Sequence, residues 1–185
     1  MLSDGTEPHL NRCKNLLRLV GQGRYILVPD MRALLLILFC LSTTTAFALS
    51  FSGKVVKVSD GDTIQVMREG TAEKVRLAEI DCPETNQPFG QAAKRFTLDL
   101  AAHKIVKVEV ETKDRYGRTV GEVILPDGSS LNRRLVEEGY AWWYRRYSRD
   151  NSLGVLESTA QANKKGLWAD KNPIAPWEWR RNKKK

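Results

Sequence analysis

Residues 51–80 read FSGKVVKVSDGDTIQVMREGTAEKVRLAEI. Val56 and Val58, Ile64 and Val66, and Val75 and Leu77 each stand two apart in short runs, the period that sends alternate side chains to one face of a strand. Three strands are therefore predicted, over 51–59, 63–68 and 74–80. Asp60-Gly61-Asp62 separates the first two and Arg68-Glu69-Gly70 the second pair, and both carry residues that favour a tight reversal. The stretch predicts an antiparallel meander.

Downstream the period changes. Phe89, Ala92, Ala93, Phe96 and Leu100 recur at three- and four-residue intervals, forming one apolar face of a helix about thirteen residues long. Ile105, Val106, Val108 and Val110 predict a fourth strand and 119–125 a fifth, with Tyr116-Gly117-Arg118 at the bend between them. Ser129 or Ser130 can cap a helix that carries Leu131, Leu135 and Val136 and stops at Gly139; Ser152 can cap another that runs to Gly166. The pattern predicts an α+β, mainly β fold: a closed or partly open five-stranded barrel of the OB type with about three helices. Trp168, Trp177 and Trp179, with Pro173 and Pro176, predict that 171–185 is a tryptophan-rich strap on the domain, with a disordered basic tail from Arg180 onward. The working domain is placed at 49–170.

Upstream, Met31-Arg32 precedes an apolar run over 33–41 and then Ala46-Phe47-Ala48, which predicts a secretory signal over 31–48 cut after Ala48. The run is short for a bilayer span and is followed by Ser42 to Thr45, so a permanent anchor or a buried helix are the alternatives. Residues 1–30 lack sustained periodicity and are expected to be a mis-assigned extension, with Met31 the true start, or disordered. A secreted or periplasmic protein is expected.

The 185 residues carry 30 Lys and Arg against 22 Asp and Glu, a net charge of +8. Beyond residue 48 there are 25 basic and 19 acidic side chains, a net +6, so the basic character belongs to the domain. Such charge favours polyanions, nucleic acid or anionic lipid, without choosing between them. Only Cys82 lies inside the domain, since Cys13 and Cys40 precede it; an internal disulfide and a paired-cysteine zinc site are excluded there. His9 and His103 offer no zinc-binding spacing, so any metal must be held by oxygen ligands. No feature calls for oligomerisation, and a monomer is expected.

Three clusters remain: Asp60-Gly61-Asp62-Thr63, then Arg76 through Asp81-Cys82-Pro83-Glu84, then Asp114-Arg115-Tyr116-Gly117-Arg118. Singly, each reads as an ordinary turn or strand junction. Together they supply the parts that phosphodiester hydrolysis requires. Water must reach a phosphorus shielded by negative oxygens, which calls for cations on the phosphate and the leaving oxygen and a base for the water. A hard divalent ion on carboxylates meets part of that need, and guanidinium forks meet the rest.

In this order, the three clusters resemble the signature motifs of the staphylococcal (micrococcal) nuclease family, the thermonucleases, over about 51–168. The resemblance implies the OB-type barrel and calcium-dependent cleavage of DNA and RNA. It implies Asp62 and Asp81 as calcium carboxylates with the Cys82 carbonyl as a further ligand, and Glu84 as the residue that orients or deprotonates water. Arg76 would bridge phosphate and metal site, and Arg118 would stabilise the phosphorane and the leaving oxygen. Arg115 and Tyr116 match a pair that contacts the terminal phosphate of bound nucleotide. The family's best-known member has threonine where this chain has Cys82; a carbonyl ligand survives that exchange, whereas an exported thiol beside a metal invites oxidation.

Within 142–147, aromatics alternate with Arg145 and Arg146, which suits bases stacking on rings while guanidiniums track phosphates; Tyr144 is the candidate stacking wall. Core packing is an equal reading for Trp142 and Trp143. The alternative to a nuclease is a nuclease-like barrel that has lost catalysis and docks nucleic acid or protein. Such a barrel would be expected to have lost one of Asp62, Arg76, Asp81, Glu84 and Arg118, all of which are present.

Overall fold

The computed structural model describes residues 49–183. The extension 1–30 and the signal segment 31–48 expected above lie outside the described residues. The elements are β1 (Ser50–Asp60), β2 (Thr63–Arg68), β3 (Thr71–Leu77), β4 (Ile80–Asp81), α1 (Gly90–Ala101), β5 (Ile105–Lys113), β6 (Thr119–Ile124), α2 (Leu131–Glu137), β7 (Trp142–Trp143), α3 (Asn151–Ala162), a 3₁₀ turn (Gly166–Ala169) and α4 (Pro176–Asn182). Five strands close into a barrel in the order β1-β2-β3-β6-β5, while β4 and β7 form a separate two-stranded ladder. The mainly β, OB-type architecture is as expected, with four α-helices among the described residues where about three were expected. Among the described residues, no helix is long and apolar enough to cross a membrane.

Closure depends on β1 pairing twice, through residues 50–54 with β5 and through 55–60 with β2. Irregular pairing between Val55 and Lys57 bends β1 where it passes from one partner to the other, which is how a sheet turns back on itself. It also overturns one sequence expectation. Val55 and Val58 are the buried pair, 1% and 6% exposed, and Val56 points outward, because the bulge shifts the alternation by a residue. The barrel is completed by β3 running parallel to β6, with Val75 opposite Thr119 and Arg76 opposite Val120. At the β2–β3 turn, Glu69 and Gly70 both have positive φ, 48° and 81°, the backbone of the hairpin turn that matches strand twist.

Ile64, Val66, Val75, Leu77, Val106, Val108 and Val123 fill the barrel and join Leu131, Leu135, Val136 and Leu153 of α2 and α3 in one core. Each such side chain contributes roughly 1.5–3 kcal/mol by leaving water. The core face of α1 is Gly90, Ala93, Thr97 and Ala101, rotated from the predicted stripe; Phe96 and Leu100 are only partly buried. Small residues let this helix approach the barrel closely enough for the Thr97 hydroxyl to donate to the Gly61 carbonyl at 2.6 Å.

Ser130 caps α2 as expected, accepting from the Arg133 amide. Asp150, rather than Ser152, caps α3: the shorter carboxylate-to-amide loop to Ser152 NH closes at 2.9 Å, and the helix stops at Ala162 rather than Gly166. The strap contains a helix. Pro176 sits at the first position of α4, where a missing amide costs nothing, and the helix carries Trp177, Trp179 and Arg180 onto the domain. Arg180, expected in a disordered tail, is therefore part of an ordered helix.

Candidate active site

The first acid cluster is fixed by close packing at Gly61. A Cβ on Gly61 would lie 2.8 Å from the Cys82 Cβ and 2.9 Å from that of Ala93, so the β1–β2 turn rests directly on α1 and on the segment after β4. That contact brings Asp62, which is buried, to Cys82: the Cys82 amide donates to Asp62 Oδ2 at 2.7 Å. Thr63 Oγ1 donates to the other oxygen at 3.2 Å. Asp81 is set by the β4–β7 ladder, in which it is the register partner of Trp142. Glu157 of α3 holds β7 from behind, accepting from the Trp143 amide at 3.0 Å and from Arg145 at 2.9 Å. Gly90 closes the loop that follows: a Cβ there would strike the Glu84 carbonyl oxygen at 1.8 Å.

Arg76 joins the two acids. Its Nη2 lies 3.1 Å from Asp62 Oδ2 and 2.9 Å from Asp81 Oδ1 and also donates to the Ile80 carbonyl, while Nη1 donates to the Leu77 carbonyl at 2.8 Å. Burial works to depress the Arg76 pKa, and Asp62 and Asp81 more than offset it, so the guanidinium stays charged. Burial, aided by the Asp62 charge, holds the Asp81 carboxyl above its ordinary value against the pull of Arg180 and Arg76. Asp60, beside Asp62, is pushed up to about 6 by burial and then by the Asp62 carboxylate. The sequence pattern placed Asp60 in the first charged cluster but gave it no role of its own.

Cys82 is 4% exposed, and burial, with Asp62 next, raises its thiol well above the ordinary range. The oxidation-prone thiol expected from the sequence is thus a neutral, enclosed side chain, packed beneath the turn at Gly61.

Arg118 stands at the entry of β6, two residues ahead of Val120, the register partner of Arg76, so the two arginines share the outer face of neighbouring strands. Asp114 fixes it, accepting from Arg118 Nε at 2.6 Å and from its amide at 3.0 Å. Arg115 and Tyr116 lie on the β5–β6 turn, with Arg115 donating to the Tyr116 hydroxyl at 2.8 Å and Arg118 5.7 Å from the Tyr116 ring centre; Tyr116 is 70% exposed. Tyr144 is anchored by its amide to the Glu79 carbonyl at 2.8 Å, and one face of its ring is covered by Trp177, stacked at 5.2 Å and 5°. Trp142, half-buried, packs edge-on to Trp168 and Trp177, while Trp143 packs against the core.

One residue of the site has no counterpart in the sequence expectations. Arg180 of α4 reaches Asp81 Oδ2 at 2.6 Å and Oδ1 at 3.3 Å, and Glu84 Oε1 at 2.7 Å. Its contacts to these two acids keep its pKa above the ordinary arginine value despite partial burial. Nothing in the local sequence distinguished it from the lysines that follow.

The donor set suits a hard cation. Asp62 and Asp81 converge on a single nitrogen, the Cys82 backbone adjoins both, and the charged ligands are carboxylate oxygens. Among the described residues no group of three or more His, Cys, Asp or Glu is gathered to hold a metal alone. Such an ion would therefore complete its shell with water or substrate oxygens.

A family model described as staphylococcal nuclease homologue matches residues 74–170, a span that holds Arg76, Asp81, Cys82, Glu84, Arg118 and Tyr144. The chain belongs to the staphylococcal nuclease homologue family. It is similar to a protein named an uncharacterized endonuclease in Escherichia coli O157:H7, 43% identical over 148 residues, covering 80% of this chain and 96% of that protein. A protein of the same name in Haemophilus influenzae is 46% identical over 132 residues, covering 71% of this chain and 74% of the relative. A micrococcal nuclease of Shigella flexneri is 40% identical over 144 residues, covering 72% and 83%. Arg180 lies beyond the part of the chain that this nuclease-homologue model matches.

Proposed function

We infer that this staphylococcal nuclease homologue is a nuclease, a phosphodiester hydrolase exported to the periplasm or the medium, that uses calcium to cleave DNA and RNA as a monomer. The observation that carries the nuclease reading is the convergence of Asp62, Asp81 and Arg76 in one buried cluster, with Glu84 joined to Asp81 through a shared guanidinium. Calcium held by Asp62, Asp81 and the Cys82 carbonyl would supply positive charge to a phosphate oxygen.

Arg76, buried and committed to both acids, holds their geometry and presents its charge to the phosphate side of the cluster. Glu84, 39% exposed, is open to water and takes or orients the proton of the attacking water. Arg118, oriented by Asp114, neutralises charge that develops on the equatorial oxygens and on the leaving oxygen. Arg115 and Tyr116, exposed on the same turn, receive a terminal phosphate or the flanking backbone. Tyr144, stacked on Trp177 and packed edge-on with Tyr147, belongs to an aromatic cluster on which a base can stack.

The test is cleavage of end-labelled single-stranded DNA and RNA by purified residues 49–185 with calcium, with magnesium and with chelator. Calcium-dependent laddering that falls at least about a thousandfold in Arg118→Ala is expected. Tight binding without cleavage would make the chain a docking module instead.

A further inference from the structure

The contacts of Arg180 occupy the groups that the proposed chemistry needs free. Asp81 presents two oxygens, and both are taken: Oδ1 by Arg76 at 2.9 Å, with Arg180 Nη1 at 3.3 Å, and Oδ2 by Arg180 Nη2 at 2.6 Å. The same Nη1 holds Glu84 Oε1 at 2.7 Å. A guanidinium fork on paired carboxylates is among the stronger side-chain contacts, and it fills the space where a hard cation would neutralise the same charge. A cation cannot take Asp81 Oδ2 until Arg180 withdraws, and until then one of the two Glu84 oxygens stays committed to the same guanidinium.

The two arginines differ in how easily they can leave. Arg76 is 14% exposed, sits within β3 and donates to two backbone carbonyls; the Arg180 side chain is 41% exposed and, among the described residues, bonds only to the two acids. The helix that carries Arg180 is moored at its start. Gln87 Nε2 donates to the Ile174 carbonyl at 2.6 Å, Ala175 and Pro176 are buried, and Trp177 stacks on Tyr144. The last residues of α4, Arg181 and Asn182, are exposed. Arg180 can therefore swing out by side-chain rotation or fraying of the last turn of α4 while the moored segment stays in place.

We propose that Arg180 is a tethered cation that occupies the metal-free site, competing with the divalent ion for Asp81 and holding one oxygen of Glu84 until the ion displaces it. This rests on the assignment of Asp81 and Glu84 to a calcium-dependent site. If the closed form holds about nine molecules in ten, the apparent calcium affinity is lowered about tenfold by the unavailable fraction.

The decisive measurement is calcium binding by calorimetry in the absence of nucleic acid, for the wild-type protein and for Arg180→Gln, alongside the melting temperature of each in chelator. The variant is expected to bind calcium about tenfold more tightly, to melt lower than wild type without metal, and to gain more from added calcium. Trp177→Ala, which loosens the mooring without touching the acids, should tighten calcium binding in the same direction, and it carries the test if Arg180→Gln does not fold. Equal or weaker calcium affinity in the variants, with binding intact, overturns the latch and leaves the calcium site standing. No binding by any of the proteins, at calcium concentrations that support cleavage, overturns both.

Discussion

Replacing Arg76 with methionine keeps most of the aliphatic stem and removes only the charge that holds Asp62 and Asp81 together. Those carboxylates are 8% and 2% exposed, so they would be left beside one another in a poorly hydrated space. Removing one partner of a buried ion pair costs about 3–5 kcal/mol, far more than an intact pair contributes over an apolar substitute. Arg180 still faces Asp81, which places the expected loss near the lower end, about 3 kcal/mol. For a domain of this size that corresponds to a fall of about 10 °C in melting temperature. Urea unfolding followed by tryptophan fluorescence, in chelator, reads it directly. Combining Arg76→Met with Asp62→Asn should recover about 1–3 kcal/mol relative to the sum of the single losses, because the second change removes the stranded charge. A loss under about 1 kcal/mol together with strict additivity would refute the view that this arginine is the electrostatic tie of the cluster.

Asp60 gives a pH signature. Its carboxyl titrates near 6 in the folded protein against 3.8 ordinarily, so the native state retains a proton that the unfolded chain releases, and stability is lost as pH rises through that window. Metal-free Asp60→Asn should match wild type near pH 4 and exceed it by about 1–3 kcal/mol at pH 8; identical pH profiles in urea melts would contradict the shift. Asp114→Ala should lower kcat by about tenfold with little change in stability, since it frees Arg118 from its 2.6 Å contact; an unchanged kcat would show that Arg118 needs no such support. Iodoacetamide should label Cys82 at least about a hundredfold more slowly in the native protein than in urea, and comparable rates by mass spectrometry would count against its enclosure.

The barrel was readable because strand period, turn residues and helix period agree along 51–125, and the three charged clusters fall at the junctions between those elements. What escaped was set by contacts distant in sequence. Val55 replaced Val56 in the core because β1 changes partner partway along its length, an event that no local pattern encodes. The face of α1 was misread because large apolar residues suggest burial, whereas the closest approach here demands Ala93 and Thr97 over Gly61. The two-residue ladder of β4 and β7, too short for any periodic signal, sets Asp81. Arg180 was unreadable for a similar reason. Its partners stand 96 and 99 residues away, and a basic residue near a basic chain end carries no local mark of an ion pair.

The turn at Glu69 and Gly70 has a practical use. Its backbone points away from everything: a side chain at Gly70 would meet no atom within 4 Å. It also caps the end of β2 opposite Thr63, six residues and about 20 Å along the strand from the acids. A peptide tag or a targeting module inserted there would hang from the end of β2 away from the acids. The scaffold thereby offers a natural handle for steering cleavage to a chosen substrate, one that leaves both chain ends and the reacting groups as they are.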